Sequence, residues 1–212
     1  MNFKSLLSAA LLSSALLSFP AAAQVLVPTD PSLAPLAIKS QRVSVEVKDQ
    51  LARTHIEQIF VSNVDRPLEA TYVFPVPDGV AIAEFALWMN GKKVGGEVLE
   101  ADKARGIYEG IVSRMRDPGL LEYAGQRLLR CRVFPIPPRG EQKIEIEYGE
   151  LTKIEGGIGR YTYPLATGGK STRVQGDLSL KLALSSKVDL KSIYSPTHKV
   201  SIDRKGDNAA IV

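Results

Sequence analysis

Alternation of apolar and polar residues is the dominant pattern along this chain. Every second residue from Val43 to Val47 is a valine, and the residues between them are polar. A period of two is typical of a β-strand with one buried face. The same pattern predicts further strands at 52–62, 68–76, 80–89, 92–99, 127–134, 142–151, 160–165, 177–184 and 199–203. Asn90-Gly91 lies between two of them and predicts a tight hairpin, because both residue types tolerate a positive φ.

One segment has a helical period instead. An amphipathic helix is predicted over 101–115 from the spacing of Ala101, Ala104, Tyr108, Ile111, Val112 and Met115. Asp117-Pro118-Gly119 ends it. Gly106 and Gly110 weaken an isolated helix, so packing around Tyr108 must supply its stability. The many short strands and this helix together predict a mostly β fold, an antiparallel β-sandwich with one amphipathic helix.

Two aromatic–proline corners bracket this helix. The first is Tyr72-x-Phe74-Pro75-x-Pro77, and the second is Phe134-Pro135-Ile136-Pro137-Pro138. With Ala104-x-x-x-Tyr108 between them and the linker at 117–122, residues 41–153 resemble the bacterial branch of the VIT domain, the module named for vault proteins and inter-alpha-trypsin inhibitor heavy chains. The resemblance implies a VIT-like framework for recognition, not catalysis. Its structural motif comprises Tyr72, Phe74, Pro75, Pro77, Ala104, Tyr108, Phe134, Pro135 and Pro137.

The resemblance also implies a neighbouring domain. In the family, a von Willebrand factor A domain commonly follows the VIT domain and holds a metal ion through an Asp-x-Ser-x-Ser motif. That motif is absent from this sequence, so the metal-dependent function is not assigned to these residues. Residues 154–212 are predicted as a further β-rich segment, which either leads to a following domain or completes a VIT-only protein. The expected partner is therefore another protein or a following von Willebrand factor A domain.

The N-terminus has the pattern of an export signal. Lys4 precedes an apolar run over 6–19, and Ala21-Ala22-Ala23 offers a cleavage site before Gln24. The run is short for a membrane span, which needs ~20 apolar residues. A signal peptide over 1–23 predicts a periplasmic, cell-surface or secreted protein that meets the membrane only during export. The alternative is a retained anchor.

Residues 24–40 contain three prolines and no sustained period. This composition predicts a Pro-rich leader or linker, either disordered or docked as a strand.

Charge and cysteine content narrow the possible functions. The chain has 27 Lys and Arg residues against 23 Asp and Glu residues, a formal net charge of +4. This excess is too small and too dispersed to indicate nucleic-acid binding. Cys131 is the only cysteine, so an internal disulfide is excluded. It is in phase with Leu129 and Val133, which favours a buried, inert thiol over an intermolecular disulfide.

No residue pattern predicts a catalytic, cofactor-binding or metal site. His55 and His198 lack a second ligand at metal-binding spacing. Glu145 and Glu147 share one face of a predicted strand, where Lys143 and Arg139 are expected to screen them. A cation site there is the alternative, although it would need several converging oxygens. The glycines at 156–159 lack the ending of a phosphate loop and predict a turn.

These observations favour a non-catalytic protein–protein interaction module of an exported, bacterial-type VIT protein. It would form the N-terminal part of a protein that also has a von Willebrand factor A domain. Two alternatives remain: binding to extracellular matrix or polysaccharide, and a hydrolase that uses Cys131 or a carboxylate pair. A fold of this kind does not by itself decide among them.

Overall fold

The computed structural model describes residues 24–76, 80–95, 97–99, 128–163 and 174–212. The predicted signal peptide and the predicted helix over 101–115 lie outside these ranges, and so do Pro77, Ala104 and Tyr108 of the motif. Within the described ranges, no helix is long and apolar enough to cross a membrane.

Strands account for all of the regular structure in the described residues, so the prediction of a mostly β fold is confirmed. The strands form sheets of eight, four and two strands. Their bounds are β1 (Val25–Pro28), β2 (Ala37–Lys48), β3 (Leu51–Val61), β4 (Leu68–Pro75), β5 (Val80–Met89), β6 (Lys92–Val94), β7 (Glu97–Leu99), β8 (Leu128–Ile136), β9 (Glu141–Leu151), β10 (Lys153–Glu155), β11 (Ile158–Arg160), β12 (Val174–Ser185), β13 (Asp203–Arg204) and β14 (Ala209–Ile211).

The large sheet has the order β13-β14-β12-β2-β3-β9-β5-β6. Its centre is built from β2, β3 and β9, which pair antiparallel over nearly their whole lengths. Ile56 on β3 lies opposite Val43 on β2 and Ile146 on β9, and all three are buried. The period of two in the sequence therefore becomes one apolar face of this sheet.

The smaller sheet has the order β1-β4-β8-β7. Its edge strand β1 pairs antiparallel with β4, and Leu26 lies opposite Tyr72. Of the two alternatives for residues 24–40, a docked strand is the one observed for Val25–Pro28. Three apolar side chains are buried there, and Pro28 is tolerated because an edge strand does not need every amide donor.

The buried faces of the two sheets share one apolar core. The rings of Phe60 on β3 and Tyr72 on β4 meet edge to face, with centroids 5.9 Å apart. Those of Phe74 on β4 and Tyr148 on β9 are 5.8 Å apart. Such offset aromatic pairs contribute about 0.5–1.5 kcal/mol each beyond the burial of their surface.

The prediction that all strands pair antiparallel is wrong at β12. This strand runs parallel to β2, with Leu180 opposite Val43. A parallel pair needs a connection of about a dozen residues or more, and β12 pairs with a strand far from it in sequence. The alternation within β12 predicts which face is buried but not the direction in which the strand runs. The sequence pattern therefore could not distinguish a parallel from an antiparallel pairing with β2.

The strand predicted over 92–99 is divided between the two sheets. Lys92–Val94 pairs with β5 in the large sheet, and Glu97–Leu99 pairs with β8 in the smaller one. The chain thus passes from one sheet to the other at Gly95. The preceding hairpin is confirmed, because Asn90 and Gly91 have φ values of 50° and 73°.

Candidate functional site

Five polar side chains come together between the two sheets. Gln41 on β2 and Gln58 on β3 lie opposite each other on the inner face of the large sheet. Gln24 precedes β1, Tyr72 lies on β4, and Tyr163 follows β11. The three glutamines and Tyr72 are at most 1% exposed. We call these five residues the glutamine cluster.

Hydrogen bonds join all members of the glutamine cluster. Gln58 Nε2 donates to Gln24 Oε1 at 2.5 Å and to Gln41 Oε1 at 3.2 Å. The Tyr72 hydroxyl donates to Gln58 Oε1 at 2.6 Å. The Tyr163 hydroxyl accepts from Gln41 Nε2 at 2.7 Å and from Gln24 Nε2 at 3.1 Å. Because the side chains satisfy one another, the cluster connects three strands, the residue before β1 and the segment after β11 without requiring a ligand.

A second polar group lies nearer the end of β9. Thr54 and Tyr148 are opposite each other in the register, and Thr54 Oγ1 lies 2.8 Å from the Tyr161 hydroxyl. Burial raises the pKa of Tyr161 to about 12. Glu150 is two residues beyond Tyr148 on the same face of β9. These four residues form the second polar group of the core.

Glu150 is the ionisable member of this group in the neutral range. Its Oε1 atom is buried and has no hydrogen-bond partner. It lies opposite Ala52 on β3 and Val80 on β5, neither of which offers a polar side chain. Burial raises the pKa of Glu150 to about 7. The Glu150 carboxyl therefore changes charge near neutral pH, although a raised pKa alone does not make a catalytic group.

The outer face of the large sheet has carboxylates that are paired with cations. Lys143 Nζ lies 2.6 Å from Glu57 and 2.5 Å from Glu145. Arg42 lies 3.0 Å from the other Glu57 oxygen. The hydrogen bond from Lys143 is the main cause that lowers the pKa of Glu57. These carboxylates form a solvated ion-pair network, as predicted for Glu145 and Lys143.

The expected role of Arg139 is wrong. It does not screen Glu145 or Glu147 but forms a bidentate pair with Asp65, with Nη2 2.9 Å from Oδ2. Glu147 lies 3.7 Å from Arg53 instead. The cause is position, because Arg139 lies in the turn before β9 and not on the outer face of the sheet. Among the described residues, no group of three or more His, Cys, Asp or Glu side chains could hold a metal ion.

Cys131 lies on β8 opposite Tyr72 and is buried, as predicted. Its Sγ atom is 3.7 Å from the carbonyl oxygen of Gly95, and burial raises the pKa of the Cys131 thiol. His55 belongs to the other sheet, on the face of β3 opposite to the buried Thr54. Cys131 and His55 therefore do not form the Cys–His pair that a cysteine hydrolase would require.

The two aromatic residues of the first aromatic–proline corner are part of the core. Tyr72 and Phe74 are fully buried on β4, and Pro75 is the last residue of that strand. Tyr72 also belongs to the glutamine cluster. The motif residues of this corner thus provide both ring packing and a buried hydrogen bond.

The second corner lies at the surface. Phe134 on β8 is 67% exposed, and a cis peptide bond joins it to Pro135. Pro137 is also exposed, whereas Ile136 between the two prolines is buried. The two corners therefore have similar sequences but opposite environments. Phe134 is exposed because it is out of phase with the buried residues of β8.

An apolar strip on β12 extends beyond the shared core. Leu178, Leu180, Leu182 and Leu184 alternate along the strand and lie opposite Gln41, Val43, Val45 and Val47 of β2. Leu182 and Leu184 pack against the core, but Leu178 is 48% and Leu180 42% exposed. We call these four residues the β12 leucine strip. It is a candidate interface, because its outer half is apolar surface continuous with the core.

The sequence pattern missed the tyrosines that complete the polar groups. A strand was predicted over 160–165, but β11 ends at Arg160, and Tyr161 and Tyr163 instead pack against the core. The signal for Gln41 and Gln58 was present, since both are in phase with the buried residues of their strands. A polar residue at a position where the alternation predicts a buried apolar residue is the feature that could have identified the cluster.

Comparison with known proteins supports one family. The family model described as "Vault protein inter-alpha-trypsin domain" matches residues 38–148. A mouse protein named Protein mono-ADP-ribosyltransferase PARP4 is 28% identical over 64% of this chain and 7% of its own length. Human von Willebrand factor A domain-containing protein 5A is 28% identical over 61% of this chain and 17% of its own length. The chain therefore corresponds to a small part of these relatives.

One solved structure covers more of the chain. A putative nutrient binding protein from Legionella pneumophila aligns with 90% of this chain and 67% of its own, with a TM-score of 0.54. The sequence identity is 14%, so this likeness concerns the fold alone.

Proposed function

Because the chain belongs to the Vault protein inter-alpha-trypsin domain family, we propose that it is a non-catalytic protein–protein interaction module of an exported, bacterial-type protein. Its predicted architecture, a two-sheet sandwich with a helix over 101–115, presents side chains on a rigid frame. The glutamine cluster of the core is used to hold that frame together. This use favours recognition over chemistry.

The observation that carries the proposal is the β12 leucine strip. Leu178 and Leu180 expose about half of their surface beside a strand whose equivalent positions are buried. Complete burial of a leucine contributes about 1.5–3 kcal/mol, so covering the exposed halves of both would favour binding by about 1.5–3 kcal/mol in total. That is enough to change affinity by about tenfold or more.

The proposed occupant of the strip is a folded protein domain, specifically a von Willebrand factor A domain of the same protein. Support comes from a relative whose name includes that domain and of which this chain matches only 17%. The strip lies beyond residue 148, where the family match ends. The strip is thus nearer in sequence than the matched residues to a domain that follows, which supports this occupant.

Titration of the von Willebrand factor A domain with the purified 24–212 chain tests this proposal. We expect the double variant Leu178→Ser/Leu180→Ser to weaken binding about tenfold or more. The matched control is Lys181→Ser, on the opposite face of β12, and it should change the dissociation constant less than about twofold. Equal effects of the two variants, or a gene that encodes no such domain, would reject this occupant.

Export is the second part of the proposal. The charge at Lys4, the apolar run over 6–19 and the alanines before Gln24 support cleavage after Ala23 and a periplasmic, cell-surface or secreted location. N-terminal sequencing of the product from the exported fraction tests it. An intact Met1 on a protein confined to the cytoplasm would reject export.

A further inference from the structure

Two properties of Gln24 matter for its chemistry. It is the expected first residue after export cleavage, and it is a member of the glutamine cluster. Its side chain is fully buried. The carboxamide is held at both ends: Oε1 accepts from Gln58 Nε2 at 2.5 Å, and Nε2 donates to the Tyr163 hydroxyl at 3.1 Å.

A glutamine with a free α-amino group has a specific reaction available to it. The α-nitrogen attacks the side-chain carbon Cδ and forms a new N–Cδ bond. The Cδ–Nε2 bond breaks, Nε2 takes a proton from the attacking nitrogen, and ammonia leaves. The product is a five-membered pyroglutamyl ring, with neither a charged amino terminus nor a side-chain amide donor.

The geometry of the cluster opposes this reaction. To reach its own α-nitrogen, Cδ of Gln24 must leave the position where Gln58 and Tyr163 hold the carboxamide. That movement leaves buried hydrogen-bonding groups without their partners, which is unfavourable for each group. Conversely, a ring already formed has lost Nε2 and cannot donate to Tyr163.

We propose that Gln24 is a cyclisation site that the fold protects, so that hydrogen bonding of the Gln24 carboxamide within the glutamine cluster and pyroglutamate formation exclude each other. This inference rests on the proposed cleavage after Ala23. The side chain is a substrate for spontaneous or enzymatic glutaminyl cyclisation only while Gln24 lies outside the cluster. A chain that cyclises before folding pairs β1 with β4 without the bond from Gln24 to Tyr163.

The mass of the N-terminal peptide of the exported product provides the test. We expect open-chain glutamine at position 24 in the folded protein. On incubation, loss of one ammonia should be at least about tenfold slower in the folded protein than in urea, because the reaction requires local opening. The baseline control is a chain that begins at Ala23, in which Gln24 has no free α-amino group.

Tyr163→Phe removes the acceptor of the Gln24 amide and should accelerate cyclisation of the folded chain about threefold or more. Its rate in urea should equal that of the wild type. Gln142→Leu, a buried change outside the cluster, is the matched control and should not accelerate it. If Tyr163→Phe does not fold, the wild-type rate at urea concentrations below global unfolding replaces it, and we expect a steady rise.

The possible failures can be distinguished. Pyroglutamate at position 24 of the freshly exported folded protein, or equal rates in folded and unfolded chains, would overturn the inference while leaving export intact. A mature product whose first residue is not Gln24 would overturn both the inference and the cleavage on which it rests.

Discussion

Gln58 is the side chain on which the glutamine cluster depends most. It makes three of the cluster's hydrogen bonds: to Gln24, to Gln41 and from Tyr72. Gln58→Leu keeps a side chain of similar size and removes all three. A typical buried hydrogen bond contributes about 0.5–1.5 kcal/mol net, and a buried group left without a partner costs about 1–3 kcal/mol. Since leucine restores apolar packing, we expect a loss of about 2–4 kcal/mol.

Such a loss is a large part of the usual stability of a domain, about 5–15 kcal/mol. Urea unfolding followed by circular dichroism measures it. With a urea dependence of about 2 kcal/mol/M, a typical value for a small protein, the midpoint should fall by about 1–2 M. Gln142→Leu is the matched control. Gln142, on β9, is buried like Gln58, but its side chain makes one hydrogen bond, to the Lys143 carbonyl at 2.9 Å. It should cost about 1 kcal/mol.

Comparing the two variants tests whether the hydrogen bonds of the glutamine cluster stabilise the fold cooperatively. A Gln58→Leu loss equal to or smaller than that of Gln142→Leu would refute the cooperative account of the cluster. A double variant with Tyr163→Phe extends the test, because the two residues are connected through Gln41 and Gln24. Their effects should be non-additive by about 0.5 kcal/mol or more, whereas unconnected distant sites usually add.

Other residues give independent predictions. Burial raises the pKa of Glu150 from 4.5 to about 7, so the folded state binds an extra proton and stability should fall as pH rises from 4.5 to 7. Partial solvent exposure limits this fall to about 1 kcal/mol. Glu150→Gln should abolish it, which melting measured as a function of pH would show. Cys131 should react with a thiol reagent about a hundredfold more slowly in the folded than in the unfolded chain, because it is buried and burial raises its pKa; equal rates would contradict this. In Gly176→Ala the new Cβ would lie 2.3 Å from the Lys39 carbonyl oxygen, so urea unfolding should show a loss of about 1–3 kcal/mol, whereas Gly95→Ala meets no atom within 4 Å and should cost about 0.5 kcal/mol or less.

The central strands could be predicted from the sequence for a physical reason. Each of β2, β3 and β9 has one face in the core, so selection for apolar side chains produces a period of two. The hairpin at Asn90 was equally predictable from the sequence, because few residue types tolerate the positive φ that its turn requires. These are local constraints, and each is visible within a few residues.

Features that depend on distant contacts could not be predicted in this way. Val25–Pro28 has no period because it is too short and is buried along its whole length. The parallel direction of β12 depends on which strand it meets and not on its own pattern. Tyr163 joins the cluster from an irregular segment, where no periodic rule applies. The candidate interface was partly visible, since the alternating leucines were recognised but their exposure was not.

The glutamine cluster helps to fix strand register as well as stability. Side chains on a strand alternate between faces, so a one-residue slip of β2 against β3 would turn Gln41 to the outer face and bring a neighbouring residue into the core. Gln58 would then remain buried without its partner at 3.2 Å. An apolar pair at these positions would tolerate a slip more easily, because valine and isoleucine have no directional bonds to lose. Three hydrogen-bonded glutamines in the core therefore favour one alignment of β1, β2 and β3, and the surfaces that any partner recognises depend on that alignment.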